Sequence, residues 1–196
     1  RLLSDDPPEV IAAKGALVQA AEQARRASDV VARLRRIIER PNEIKPSETV
    51  VLKEVVTNAL HLLEPELQHR GITTKVIHHD GVVAVLADPI ALEQIIHNLL
   101  MNAIQALELV PQTERQLILH LSIENRQGVL TITDTGLGIA SELLPRLFEP
   151  FFSTRTGGLG LGLSICESLV SRMGGQLGVV ASKPRGASFY VRLPQG

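Results

Sequence analysis

Three short runs of residues combine types and spacings that could do chemistry. The first is Asn98-Leu-Leu-Met-Asn102. A spacing of four places both amides on one face of a helix. Two neutral oxygen donors there suit Mg2+, a hard cation that keeps several waters for phosphate oxygens to replace; a pair of solvent-facing amides is the plainer alternative. The second run is Thr133-Asp134-Thr135-Gly136-Leu137-Gly138-Ile139, directly after a strand-like stretch. A carboxylate at a strand end can accept a hydrogen bond from an exocyclic amine such as that of adenine, and Gly136 and Gly138 let backbone approach a flat ring closely. An ordinary Asp-Thr-Gly turn fits the same residues. The third run is Gly157-Gly158-Leu159-Gly160-Leu161-Gly162-Leu163-Ser164, leading into a helical pattern. Glycines before a helix start free backbone N–H groups to cradle phosphate. No Lys-Ser/Thr pair follows, so this is not a P-loop. No strand feeds it within a short βαβ unit, so it is not a dinucleotide fingerprint either.

These runs need elements to hold them. Periodicity predicts helices over Leu52–His69, Pro89–Leu109 and Leu161–Met173. Strand-like stretches are Gly71–Ile77, Val82–Leu86, Leu117–Glu124, Val129–Asp134, Gln176–Ala181 and Ala187–Leu193. Strands in consecutive hairpin-like pairs with helices between them predict an α+β fold, a two-layer sandwich with a mixed sheet and helices on one face. The stretch from Gly138 to Gly158 has little periodicity, two Pro and three Phe, as a lid would. Upstream, residues 6 to about 40 read as one long helix. Asp6-Pro7-Pro8-Glu9 is a start signal. Ala13, Leu17, Ala20, Ala24, Ala27, Val31, Leu34 and Ile38 then form a heptad seam. A lone amphipathic helix cannot bury such a seam, so partner helices are expected. Pro41 ends the helix and Asn42–Ser47 reads as a linker. The expected division is residues 1–45, helical, and 46–196, the α/β part.

The 196 residues are 44% hydrophobic and 21% charged, an ordinary globular composition, with a formal net charge of −1. That balance offers no chain-wide attraction to nucleic acid or to an anionic membrane. Aromatic content of 3% without Trp argues against a base-stacking nucleic-acid platform. One cysteine, Cys166, cannot make an internal disulfide and fits a reducing compartment. No apolar run approaches the roughly 18–20 residues of a membrane span. A soluble, cytoplasmic location is therefore expected, with membrane anchoring of a longer parent left open.

Taken together and in order, Asn98-x-x-x-Asn102, Asp134-x-Gly136-x-Gly138, Phe148-Glu149-Pro150-Phe151-Phe152 and Gly158-x-Gly160-x-Gly162 resemble the asparagine, first glycine, phenylalanine and second glycine boxes of sensor histidine kinases, in the GHKL superfamily. The resemblance covers residues 46–196 and implies a Bergerat-type ATP-binding fold. It implies that Asp134 accepts from the adenine amine while Gly136, Gly138 and Ile139 shape the ring pocket. It further implies that Asn102 binds Mg2+ with Asn98 beside it as ligand or phosphate contact. Gly158, Leu159, Gly160, Leu161, Gly162 and Leu163 would hinge the lid and open the helix toward phosphate. Phe151 or Phe152 would pin the lid to the body, and Arg155 would meet the triphosphate. The long helix resembles the second helix of the dimerisation and phosphotransfer bundle. That implies a homodimer through residues 6–40 and an upstream helix, and a response regulator receiver domain as partner.

Position 98 is informative by its own chemistry. Hydrolytic members of the superfamily carry a Glu there to activate water; an amide cannot act as that base, so the pocket suits phosphoryl delivery rather than hydrolysis. Three features depart from the pattern. Gln105 replaces a frequent Lys, and Ala187 in Gly186-Ala-Ser188-Phe189 replaces a frequent Thr or Ser, with Ser188 next to it. The six histidines lack the acceptor context of the family, His61 coming nearest. The expectation is therefore a piece of a longer kinase whose phosphoacceptor His lies upstream, with no catalytic residue of its own beyond the ATP site. Two alternatives stand beside it: a serine kinase or ATPase of the same superfamily, and a dimerising scaffold with a degenerate pocket.

Overall fold

The computed structural model describes Val10 and residues 48–78, 80–154, 158–182 and 185–196. The chain divides into two units, Arg1–Glu43 and Ile44–Gly196, and the fold described below is that of the second. The helix expected over residues 6 to about 40 and the lid residue Arg155 lie outside the described residues, Val10 apart.

The second unit opens with strand β1 (Glu48–Val51), which runs straight into helix α1 (Leu52–His69). Strands β2 (Thr73–Ile77) and β3 (Ala84–Ala87) follow, then helix α2 (Pro89–Leu107). Asp88 starts α2 by accepting from the Ile90 and Ala91 amides at 2.9 and 3.2 Å, with Pro89 in the first turn where its missing N–H costs nothing. The chain continues through β4 (Gln116–Glu124), β5 (Gln127–Asp134), a 3-10 turn at Ser141–Arg146, helix α3 (Gly162–Arg172), β6 (Gln176–Ala181) and β7 (Ala187–Pro194).

Five strands form one mixed sheet in the order β2-β4-β5-β7-β6. Strand β2 runs parallel to β4 and every other neighbour is antiparallel. One face carries Leu117, Leu119, Leu121, Leu130, Ile132, Phe189, Val191 and Leu193, all buried. The alternating positions between them, such as His120, Thr131, Thr133, Tyr190 and Arg192, face the other way and are exposed or half-buried. The apolar face packs with α1, α2 and α3 into one continuous core. This is the expected two-layer sandwich with helices on one face. Helix α2 contributes Leu92, Ile95, Ile96, Leu99, Leu100, Ile104 and Leu107, each almost wholly buried. Each such side chain is worth about 1.5–3 kcal/mol relative to exposure, so α2 is firmly anchored.

The expectation of consecutive hairpin pairs holds for β4–β5 and β6–β7 but not for β2 and β3. Strand β3 leaves the main sheet and pairs antiparallel with β1 instead. With β3 gone, β2 reaches β4 by a crossover through β3 and α2, which parallel pairing requires. Strand β1 was not expected: four residues after a linker-like stretch give too little alternation to read. The C-terminal tail lies along β3 as well, Val85 bridging Gln195 and the Gly196 amide donating to the Ala84 carbonyl at 3.1 Å. Among the described residues no helix is long and apolar enough to cross a membrane.

Candidate functional site

Around α2 the residues sort into three faces. The aliphatic core face is buried, and Ile90, Glu93 and His97 form an exposed edge. Gln94, Asn98, Asn102 and Gln105 are all half-buried and share the third face. Residues 94, 98 and 102 follow one another by a helical turn, and 105 lies two turns from 98. Two contacts show what this amide stripe looks onto. At its C-terminal end the Ala106 carbonyl oxygen lies 2.9 Å from where a side chain on Gly136 would begin. Farther up, the Asn98 amide nitrogen lies 3.6 Å from the buried Cys166 Sγ on α3, within the range of an N–H···S hydrogen bond. The stripe therefore runs between the loop after β5 and helix α3.

Asp134 closes β5 on the core face of the sheet and is only 2% exposed. Its Oδ1 accepts from the Gly136 amide at 2.8 Å. Burial pushes its carboxyl above the ordinary value of 3.8, opposed by hydrogen bonds from the Gly136 and Ala187 backbone and from its own. A Cβ on Gly136 would meet both Asp134 Oδ1 at 2.8 Å and the Ala106 carbonyl at 2.9 Å, so only glycine lets this loop touch α2. Gly138 lies against the Gly186 backbone, and a Cβ on Gly186, itself at φ +102°, would overlap the Asp134 carbonyl. The loop is tied at its start by Thr135, whose hydroxyl donates to the Glu114 carbonyl and accepts from the Gln116 amide at 2.9 Å. Below it, Arg115 donates to the carbonyls of Val110 (2.9 Å), Arg70 (2.7 Å) and Glu108 (3.2 Å), fastening the ends of α1 and α2 together.

Ser188 does not take the place of a hydroxyl at position 187. Its Oγ meets Thr133 Oγ1 at 2.8 Å on the opposite face of the sheet, because adjacent strand residues point to opposite sides. Ala187 is on Asp134's side and brings no hydroxyl.

At the base of the stretch expected to form a lid, the Phe151 amide donates to the Gly160 carbonyl at 3.0 Å. Gly160 sits at φ +64°, where a Cβ would overlap the backbone of Phe151 and Phe152. Phe151 is itself in the left-handed region at φ +67° and its ring is 71% exposed. Neither it nor Phe152, whose ring lies 4.4 Å beneath the Arg146 guanidinium, packs against the core; Phe148 does. The positive φ turns the Phe151 side chain outward, which the run of three Phe could not reveal. Ile139 is half-buried against the core, Leu159 and Gly158 are exposed, and Leu161 is buried. Leu163 packs at the core's edge. Helix α3 starts at Gly162 with no side-chain cap, Ser164 Oγ donating instead to the Leu161 carbonyl. Space beside Gly162 is open. Uncapped N–H groups at a helix start are where an anion is best accommodated.

The structure thus sets the loop of Asp134 and Gly136 against the C-terminal end of the helix that carries Asn98 and Asn102, with Gly138 against Gly186. Gln94 and Cys166 were not singled out from the sequence. The spacing of 94 to 98 carried the signal for the first; nothing before folding pairs 98 with 166. Among the described residues no three or more His, Cys, Asp or Glu gather as a metal cage. The oxygen donors that α2 offers to the cleft are amides, which fits a cation sharing its coordination with water and phosphate oxygens.

The chain is 31% identical over 197 residues to the sensor histidine kinase TmoS of Ectopseudomonas mendocina, matching 99% of this chain and spanning only 20% of that protein's length. The solved catalytic domain of histidine kinase ThkA covers 76% of this chain and 95% of its own, with TM-score 0.68 and 26% identity. The structure of histidine kinase ThkA in complex with response regulator protein TrrA covers 97% of this chain and 53% of its own, with TM-score 0.76 at 23% identity, a likeness of fold. Residues 87–196, more than half of the chain, match the family of histidine kinase-, DNA gyrase B- and HSP90-like ATPases, and the chain belongs to that family.

Proposed function

We propose that this chain is the ATP-binding catalytic part of a two-component sensor histidine kinase, delivering the γ-phosphoryl of ATP to an upstream histidine for relay to a response regulator aspartate. The observation that carries this reading is the chemistry of α2's cleft face. Beside a buried Asp134 that suits an adenine amine, the helix presents four amides and no carboxylate. Hydrolysis needs a base to take a proton from water; phosphoryl transfer to another side chain needs chiefly position and charge neutralisation.

In this reading the Asp134 carboxylate accepts from the adenine amine, with Gly136, Gly138 and Ile139 lining the ring. Asn102, with Asn98 beside it, would hold Mg2+ through carboxamide oxygens, and the ion would supply charge neutralisation at the triphosphate. The uncapped start of α3 and the run from Gly158 to Leu163 receive phosphate oxygens, and Arg155 adds positive charge. Residues 6–40 dimerise the protein in a bundle with an upstream helix. A receiver domain is the onward partner, in keeping with the fold likeness to a kinase solved with its regulator.

The test is to incubate the purified chain with γ-labelled ATP, alone and with a separately prepared histidine-bearing bundle from a sensor kinase. The expected result is acid-labile label on the bundle histidine and none on the chain. Acid-stable label indicates the serine kinase instead; absence of ATP binding indicates the scaffold.

A further inference from the structure

The amide stripe of α2 does not stop at Asn98. Gln94 lies one turn farther toward the helix start, on the same face, half-buried like Asn98 and Asn102, while its neighbours Glu93 and His97 are exposed. The cleft also has a direction along this helix. Its base end is marked at Ala106, where the loop carrying Asp134 and Gly136 touches α2. Asn102 is one turn from that contact, Asn98 two turns, and Gln94 three, or about 18 Å by helical rise. A nucleotide laid with its base at Asp134 and its phosphates along the stripe therefore meets Asn102, Asn98 and Gln94 in that order. The α3 start, where phosphate is best accommodated, approaches the stripe at Asn98, which faces Cys166 one turn into α3.

We infer that Gln94 contacts the terminal phosphoryl group of the nucleotide, so that it distinguishes a triphosphate from a diphosphate. The inference rests on the ATP reading above and assigns one residue within it. The carboxamide suits the task. Its NH2 donates to a phosphoryl oxygen without bringing a charge that would hold the group back from transfer, and its oxygen cannot take a proton from water as a carboxylate would. Because the contact lies beyond the second amide, it forms only when a third phosphate is present.

The test compares ATP and ADP affinities by calorimetry with Mg2+, using the full 196-residue chain. Gln94→Met keeps length and helix propensity and removes the donor; Gln94→Glu replaces it with a negative charge. Gln94→Met should weaken ATP about tenfold and leave ADP unchanged, since a hydrogen bond to a charged group is worth that much or more. Gln94→Glu should weaken ATP further, again sparing ADP. Asn102→Ala serves as a control expected to weaken both nucleotides. An unchanged ratio of ATP to ADP affinity in both Gln94 variants, or an equal loss for both nucleotides, overturns the assignment. Failure of the unaltered chain to bind either nucleotide would instead overturn the ATP reading itself. Thermal melts on both variants separate a lost contact from a lost fold: a variant that melts like the parent and still discriminates ATP from ADP as the parent does counts against Gln94.

Discussion

Asp134→Asn is the substitution that most directly probes the base end of the cleft. The buried carboxyl has one oxygen committed to the Gly136 amide at 2.8 Å. An asparagine can keep that bond through its own carbonyl oxygen. What changes is the other atom, which becomes an NH2 donor. Against adenine's amine this replaces a charge-assisted hydrogen bond with two opposed donors, and a bond to a charged acceptor is worth about 1.5–3 kcal/mol, or roughly ten- to a hundred-fold in affinity. Against guanine's carbonyl the same NH2 is a partner, so GTP should weaken less or improve. Calorimetric titration with each nucleotide reads both changes. Acidification supplies an independent arm. Burial raises the folded-state carboxyl above 3.8, so between that value and the raised one the folded protein holds a proton the unfolded chain has released. Stability contributed by this group is therefore present in full below 3.8 and declines as pH rises through the raised value, while ATP affinity, which needs the carboxylate, rises over the same window. Asp134→Asn should flatten both trends. If the variant kept ATP affinity within about threefold and the parent's preference over GTP, a carboxylate contact to the base would be refuted.

Other substitutions test the supports of the site. Gly136→Ala should cost about 1–3 kcal/mol in a denaturation midpoint and depress ATP affinity as well, because its Cβ has no room between Asp134 and Ala106. Cys166→Ala removes the sulfur that the Asn98 amide approaches and should weaken MgATP by about two- to tenfold in calorimetry, with Cys166→Ser restoring most of it. Arg115→Met leaves three helix-end carbonyls without their shared donor and should lower stability by about 2–4 kcal/mol in urea titration.

Much of this was legible beforehand because the informative features are local. The spacing of the apolar residues of α2 sets the core face, and Asn98 and Asn102 are placed on one side by helix geometry alone. Asp134 at a strand end beside two glycines is equally local. What could not be read depends on contacts distant in sequence. Strand β1 exists only because β3 leaves the main sheet to meet it, and Cys166 matters only because α3 packs beside α2. The side to which Ser188 points follows from its register with Thr133, which no motif states. The outward turn of Phe151 is a backbone conformation that residue type argues against.

Strand β3 lies between β1 on one side and the C-terminal tail on the other, and Asp88 begins α2 directly at its end. A tension applied along β1 or along the tail thus loads the same four-residue strand in shear, where several hydrogen bonds must yield together rather than one by one. No slack segment separates that strand from the helix bearing the amides. The little two-stranded ribbon and the helix that bears the amides are thus joined through Asp88 alone, whose carboxylate caps the first turn of α2.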